Sequence, residues 1–229
     1  MLPHLQALAR RLERAQALQN DRFTQAAGGK SLPVGGGYAH FRGPAHPLNQ
    51  ALGLVDPVSE AELEAVEAFL GAPTVLELSP GADQDLWALL ARRGYRLQTF
   101  QQLWVRELSG LRSPDPEVEI HPARPDEART FNQVVAAGFA ERDDWREVTP
   151  FFEVSLDVSD AWGFLASVDG EPVGGGMLGV VEGVALLSGD AGLALSPIIR
   201  TGSSVRRSPH WTRGGGSPTA ACDESGSPR

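Results

Sequence analysis

Cysteine is nearly absent from this chain: among 229 residues only Cys222 carries a thiol. One sulfur can neither close an intrachain disulfide nor build a thiolate cluster around zinc, which excludes a disulfide scaffold and a zinc-finger architecture. Lysine is equally scarce, with Lys30 standing against 19 arginines, a bias that reads as nucleotide composition and not as a set of guanidinium forks. Positive charge is not in excess. The net charge of -9 and a pI near 5.0 leave no general cationic face for nucleic acid or anionic lipid. No run of 18 apolar residues occurs and the N-terminus has no signal-peptide core, so neither a spanning helix nor secretion is expected and the cytoplasm is the default compartment.

What is present is an ordinary globular composition: 41% hydrophobic and 21% charged, with few aromatics at 7%. That content supports a real core in one large domain or two small ones. Leu5, Leu8, Leu12 and Leu18 share one face with Ala9 and Ala15 while Arg10, Arg11, Glu13 and Arg14 take the other, so residues 5–18 form an amphipathic helix. The glycines at 28–29 and 35–37 punctuate the stretch before a short strand over Tyr38–Phe41.

A helix start is clearest at Ser59, where Glu62 completes a capping box and Val58 and Leu63 form a hydrophobic staple. Leu63, Val66, Phe69 and Leu70 supply its buried stripe. A strand follows over Thr74–Leu78, then a helix from about Asp83 to Gly94, with Gly94 suited to a left-handed cap. Tyr95–Leu108 has no interior Pro or Gly and reads as a longer strand. The Ser, Pro and Gly of 109–116 mark a linker, giving a first unit 1–111 and a second unit 112–195.

The second unit opens with a strand over Val118–His121 and a helix over about Asp126–Phe139, followed by an irregular acidic stretch, 141–160. Three strands then alternate with tight turns: Phe164–Val168, Asp169-Gly170, Pro172–Val181, Glu182-Gly183, and Val184 onward. Asp-Gly between apolar runs is a strong hairpin signal. Gly174, Gly175 and Gly176 inside the middle strand suggest a bulge or the close approach of another backbone or a ligand. Beyond about Leu195 the pattern stops: 21 of the 34 residues from 196 to 229 are Ser, Gly, Pro or Arg, and this tail carries +3 against -12 before it. Such a composition cannot bury enough apolar surface to offset its ordering entropy, so 196–229 is expected to be disordered.

The run from Gly163 through Asp169-Gly170 to Leu178, and then Val184 to Leu195, resembles the GNAT superfamily of acyl-CoA-dependent N-acetyltransferases: a strand, an Asp-Gly turn, a strand with a small-residue patch, and a strand that grips pantetheine. The first unit, through Leu78 and Gly94-Tyr95-Arg96, resembles the degenerate N-terminal half of some two-part members. The resemblance implies an α/β (α+β) fold with a mixed, mostly antiparallel sheet and flanking helices, and transfer of an acetyl group from acetyl-CoA to a primary amine of a small molecule or peptide. The backbone of Ala191, Gly192 and Leu193 would touch the cofactor.

Members of the superfamily carry Arg or Gln, two residues, Gly, one residue, then Gly or Ala directly after the fourth strand. A turn of small residues leading into a helix points amides and a dipole end at the pyrophosphate. Here Arg200 fails because position 203 is Ser, and Arg213 fails because position 218 is Pro. Pro209 and the glycines 214–216 also exclude a sustained helix. The abrupt change near Leu195 is what a C-terminal third replaced or read in another frame would give, so acetyl-CoA binding is expected to be weak or absent. The alternative is a non-catalytic remnant or binding module.

Other readings lack their motifs. Without a Gly-x-Ser-x-Gly elbow there is no serine hydrolase, and neither glycine triplet precedes Gly-Lys-Ser or Gly-Lys-Thr. Gly29-Lys30-Ser31 lacks the earlier glycine and strand of a phosphate loop. Trp145, Trp162 and Trp211 show no stacking pattern for single-stranded nucleic acid. His121, Glu141, Asp143, Asp144, Glu182 and Asp190 are the available acid/base groups of the second unit, and no motif assigns one a role. The acidic run 141–147 fits a solvated face and His121 an exposed strand end. No metal ligand set is expected.

Overall fold

The computed structural model describes residues 3–79, 81–100, 103–106, 117–139, 156–192 and 210–213. Among the described residues two sheets with four helices make a mixed α/β fold, as the resemblance implies. In chain order the elements are α1 (Pro3–Ala26), β1 (Lys30–Val34), β2 (Gly37–Phe41), β3 (Gln50–Leu52), α2 (Glu60–Leu70), β4 (Val75–Glu77), α3 (Gln84–Arg92) and β5 (Tyr95–Leu97). They continue with β6 (Glu119–Pro122), a 3-10 turn (Pro125–Glu127) running into α4 (Ala128–Phe139), β7 (Ala161–Val168), β8 (Glu171–Val181), β9 (Val184–Gly192) and β10 (His210–Arg213).

The first sheet has the order β1-β2-β3-β4-β10-β5, with β3 and β4 parallel and every other pairing antiparallel. Its β1–β2 hairpin turns on Gly35 and Gly36 at φ 54° and 81°, the positive pair that a two-residue turn between twisted strands needs. The capping box at α2 forms as the spacing requires: Ser59 N donates to Glu62 Oε2 at 2.8 Å and Glu62 N donates to Ser59 Oγ at 3.2 Å. Leu63, Val66 and Leu70 of α2 meet Leu86, Leu89 and Leu90 of α3 over Ala39, Ala51 and Leu76 of the strands. Arg93, at the end of α3, reaches back to Glu67 of α2 at 2.6 Å, and Tyr95 Oη donates to the same carboxylate at 3.0 Å.

The second sheet, β6-β7-β8-β9, is antiparallel throughout. Its hairpins close at Asp169-Gly170 (φ 52° and 79°) and Glu182-Gly183 (φ 49° and 73°), so both turn dipeptides do what their residue types suggest. Phe131 and Val135 of α4 pack on Ala161, Leu165 and Met177. Gly175 makes this possible: a Cβ there would lie 3.1 Å from Val135 Cγ2 and 3.3 Å from Phe131 Cε2.

β1 and β3 are strands that the sequence pattern does not announce, and three further elements differ from the sequence-based expectation. The first helix runs to Ala26 instead of ending near Leu18, because its second half is wedged between the sheets. Arg11 donates to the carbonyls of Glu182 (2.9 Å) and Gly183 (3.0 Å), Gln19 reaches Ser188 Oγ at 3.5 Å, and Phe23 packs on the second core. Gln19, Asp21 and Thr24 are buried there, which no apolar periodicity could reveal. The strand expected over Tyr95–Leu108 is confined to Tyr95–Leu97; residues 98–100 and 103–106 are not in a strand, and 101–102 and 107–108 lie outside the described residues. His210–Arg213 falls in the stretch whose composition suggests disorder, yet it is a strand, since β4 and β5 flank it and supply ladder partners on both edges. The remainder of 196–229 lies outside the described residues.

Candidate functional site

Strand β9 carries the residues nominated for cofactor contact. Ala191 stands opposite Gly175 and Gly192 opposite Gly174, and the β8–β9 register slips between Gly175 and Met177. The glycine run thus marks a bulge, and the close approach it permits is that of α4. Ala191 and Gly192 close the described part of β9, while Leu193 lies outside the described residues. Among the described residues β9 pairs only with β8, which leaves the backbone of its other edge without a strand partner. Amides and carbonyls on such an edge can bond to an extended ligand chain.

The first unit also contains a strand, a tight turn and a helix start: β3 leads through Gly53–Pro57 into α2. This helix end is not open to an anion. The Glu62 amide is bonded to Ser59 Oγ and the Ser59 amide to Glu62, whose carboxyl is held below its ordinary range by hydrogen bonds from the Ser59 backbone and hydroxyl. Glu60 adds a second carboxylate to the first turn. Asp56 stands before it, paired with Arg14 at 2.9 Å and Arg10 at 3.6 Å from α1. A pyrophosphate here would meet three carboxylates with the Ser59 and Glu62 amides already bonded, so this turn does not fit a coenzyme.

A layer of polar side chains lies between α1 and the face of the first sheet opposite α2. His40 on β2 is buried, its Nδ1 is 3.2 Å from Ser31 Oγ, and its Nε2 has no hydrogen-bond partner among the described residues. Burial, then the positive charge of Arg42, pushes its pKa down to about 4, with Asp21 opposing. Arg42 Nε donates to Thr24 Oγ1 of α1 at 3.1 Å. Further along α1, burial and then the charge of Glu77 push Glu13 up to about 7, while Gln16 donates to Glu77 Oε1 at 3.3 Å. At neutral pH this layer therefore holds a neutral imidazole and a carboxyl that keeps its proton well above the ordinary carboxylate range. None of these residues was marked by a motif. The one signal available was Gln19, Asp21 and Thr24 continuing a helix beyond its apolar stripe.

Of the acid/base groups nominated in the second unit, only His121 and Glu182 have described side chains, and they stand on β6 and in the β8–β9 turn. His121 Nε2 is 3.2 Å from Glu127 Oε1 in the turn before α4, and the backbone N–H of Arg124 helps hold that carboxyl low. Glu182 sits in the β8–β9 turn, where its carbonyl accepts from Arg11. Asp190 lies on β9, and its side chain, like Glu141, Asp143 and Asp144, is outside the described part of the structure. Among the described residues no group of three or more His, Cys, Asp or Glu is placed to hold a metal ion, and no helix is long and apolar enough to cross a membrane.

No protein-family profile and no curated protein sequence matches the chain. Among solved structures, the chain is similar to a GCN5-related N-acetyltransferase from Kribbella flavida, with a TM-score of 0.54 and 17% identity over 81% of this chain and 73% of that one. At that identity the likeness is one of fold, and the fold here is GNAT-like.

Proposed function

We propose that this protein is of N-acetyltransferase type, transferring an acetyl group from acetyl-CoA to a primary amine of a small molecule or peptide, with its cofactor grip impaired. The observation that carries this reading is the antiparallel β6-β7-β8-β9 sheet, with α4 between its first two strands and with Ala191 and Gly192 closing a strand that has one edge free among the described residues. A free strand edge suits the amide-bearing pantetheine arm, and polarising a thioester carbonyl by backbone N–H groups is the chemistry such an edge offers. The anion-binding half of the grip is missing from the sequence after β9, and the β3–α2 turn is filled by its own carboxylates. A soluble, cytoplasmic setting without a nucleic-acid partner suits the acidic charge.

The alternative, a scaffold without chemistry, is favoured by the closed β3–α2 turn and the failed Arg-x-x-Gly-x-Gly spacing. Titration calorimetry with acetyl-CoA separates them. Binding in the micromolar range, together with release of free coenzyme A thiol in the presence of a primary amine, supports the transferase. Absence of heat at millimolar acetyl-CoA overturns it in favour of the scaffold.

A further inference from the structure

The gap between β4 and β5 is bridged by a strand from far along the chain. His210 stands opposite Glu77, Trp211 opposite Leu76 and Leu97, Thr212 opposite Val75 and Arg96, and Arg213 opposite Tyr95. Strands β4 and β5 do not pair with each other, so the gap is a slot that takes one extended segment with hydrogen bonds on both edges. A second segment of closely similar composition lies much nearer. Leu103-Trp104-Val105-Arg106 and His210-Trp211-Thr212-Arg213 share Trp and Arg at the same relative positions with a β-branched residue between them.

Residues 103–106 follow β5 after only the short stretch 98–102, suit a strand by composition, and are in none. Their apolar side chains are left in solvent: Leu103 is 56% exposed, Trp104 85% and Val105 55%. Three adjacent exposed apolar residues that follow β5 closely in the chain are an unspent sheet-forming segment. Returning them antiparallel along β5 needs a short hairpin connection, whereas seating β10 closes a loop over residues 98–209.

We propose that the slot between β4 and β5 is a strand-acceptor site for which two segments of this chain compete, His210–Arg213 holding it in this structure and Leu103–Arg106 poised to replace it. The ligand class is an extended segment with Trp, a β-branched residue and Arg in succession. Exchange breaks one set of ladder bonds and makes an equivalent set, so the rest of the first sheet is retained.

Amide hydrogen exchange read by mass spectrometry on the full chain tests this with Thr212→Pro, since every amide of an interior strand faces a neighbour and proline removes one. In the unsubstituted chain, slow exchange is expected at 75–77, 95–97 and 210–213, and fast exchange at 103–106. Thr212→Pro should shift protection from 211–213 to 103–106 and leave 75–77 and 95–97 slow. Adding Val105→Pro to Thr212→Pro should abolish the gain and expose 75–77 and 95–97 together. The proposal is overturned if Thr212→Pro unfolds the first sheet, or if 103–106 exchanges at the same rate with and without the substitution.

Discussion

The two sheets of this protein bury their surfaces in opposite ways. In the first, β3, β4 and β5 are three residues each, yet the cluster under α2 and α3 draws buried side chains from every layer between Val34 and Tyr95, and α1 covers the other face. In the second, β7, β8 and β9 run for eight, eleven and nine residues, but the buried cluster among the described residues is Phe131, Val135, Ala161, Leu165 and Met177, with Phe23, Ala123, Phe139, Leu156 and Val158 partly buried against it. The face away from α4 turns apolar side chains to solvent. There Trp162 stands opposite Leu178 and Leu178 opposite Leu187, with Trp162 46% and Leu187 78% exposed. Burial follows the number of covered faces and not strand length, and a strand-rich unit with one covered face has little core to lose.

The largest test of that contrast is Phe131→Ala. Phe131 is 1% exposed and stands at the centre of the smaller core, so its truncation should cost about 3–5 kcal/mol, the range for a fully buried Phe. Because the buried cluster of this sheet is the smaller of the two, hydrogen exchange in urea should show β6–β9 losing protection before the first sheet. Simultaneous loss in both sheets would mean that α1, through Arg11, Gln19 and Phe23, couples them into one cooperative unit.

The polar layer under α1 gives a second test, through pH. His40 takes its proton less readily when folded, about 4 against an ordinary 6.5, so folding grows more favourable as pH rises between those values. Glu13 holds its proton more readily when folded, about 7 against 4.5, so folding grows less favourable as pH rises through that window. Each window spans about 3 kcal/mol, and between pH 4.5 and 6.5 the two oppose each other. The unsubstituted chain should therefore show only a shallow rise in stability there, the share left by His46, whose imidazole is also held below its ordinary pKa by burial. Glu13→Gln should leave the His40 slope, with stability rising with pH, and His40→Asn should leave the Glu13 slope, with stability falling. Denaturant midpoints across pH 4.5–7 check it, and slopes that do not reverse between the two variants would remove these groups as the source.

Much of the fold is legible where one residue type settles a local choice. Asp169-Gly170 and Glu182-Gly183 each close a hairpin because their positive φ values favour Gly in the second place, and Ser59 with Glu62 begins a helix because the two satisfy each other's amides. The candidate strand is legible too: the glycine run of β8 and the position of Ala191 and Gly192 follow from turn spacing. Hidden from sequence is whatever depends on which element covers which. Gln19, Asp21, Thr24, Glu13 and His40 look like surface or strand residues until α1 is laid between the sheets. The truncation of the strand after Leu97 and the seating of His210–Arg213 depend on a competition between distant segments, which no window of local pattern contains.

A smaller effect is expected at the α2 start. Ser59→Ala removes one half of the capping box and should cost about 1 kcal/mol, read as a shift of the urea midpoint. It should not create an anion site, since Asp56 and Glu60 stay in place. A gain of acetyl-CoA binding in this variant would show that the cap alone had closed the turn.

The smallest change in stability, and the most direct probe of the open face, is Leu187→Lys. With 78% of Leu187 in solvent, replacing it should move stability by no more than about 0.5 kcal/mol. Its neighbours in the row, Leu178 and Trp162, form with it a continuous apolar stripe beside the edge of β9 that has no described strand partner, the arrangement that invites edge-to-edge and face-to-face association. A lysine there places charge on both the stripe and the edge, so light scattering at high protein concentration should fall while the urea midpoint stays fixed. If the unsubstituted chain is already monodisperse at high concentration, the stripe is covered in solution, and the contrast between a two-faced and a one-faced sheet no longer holds.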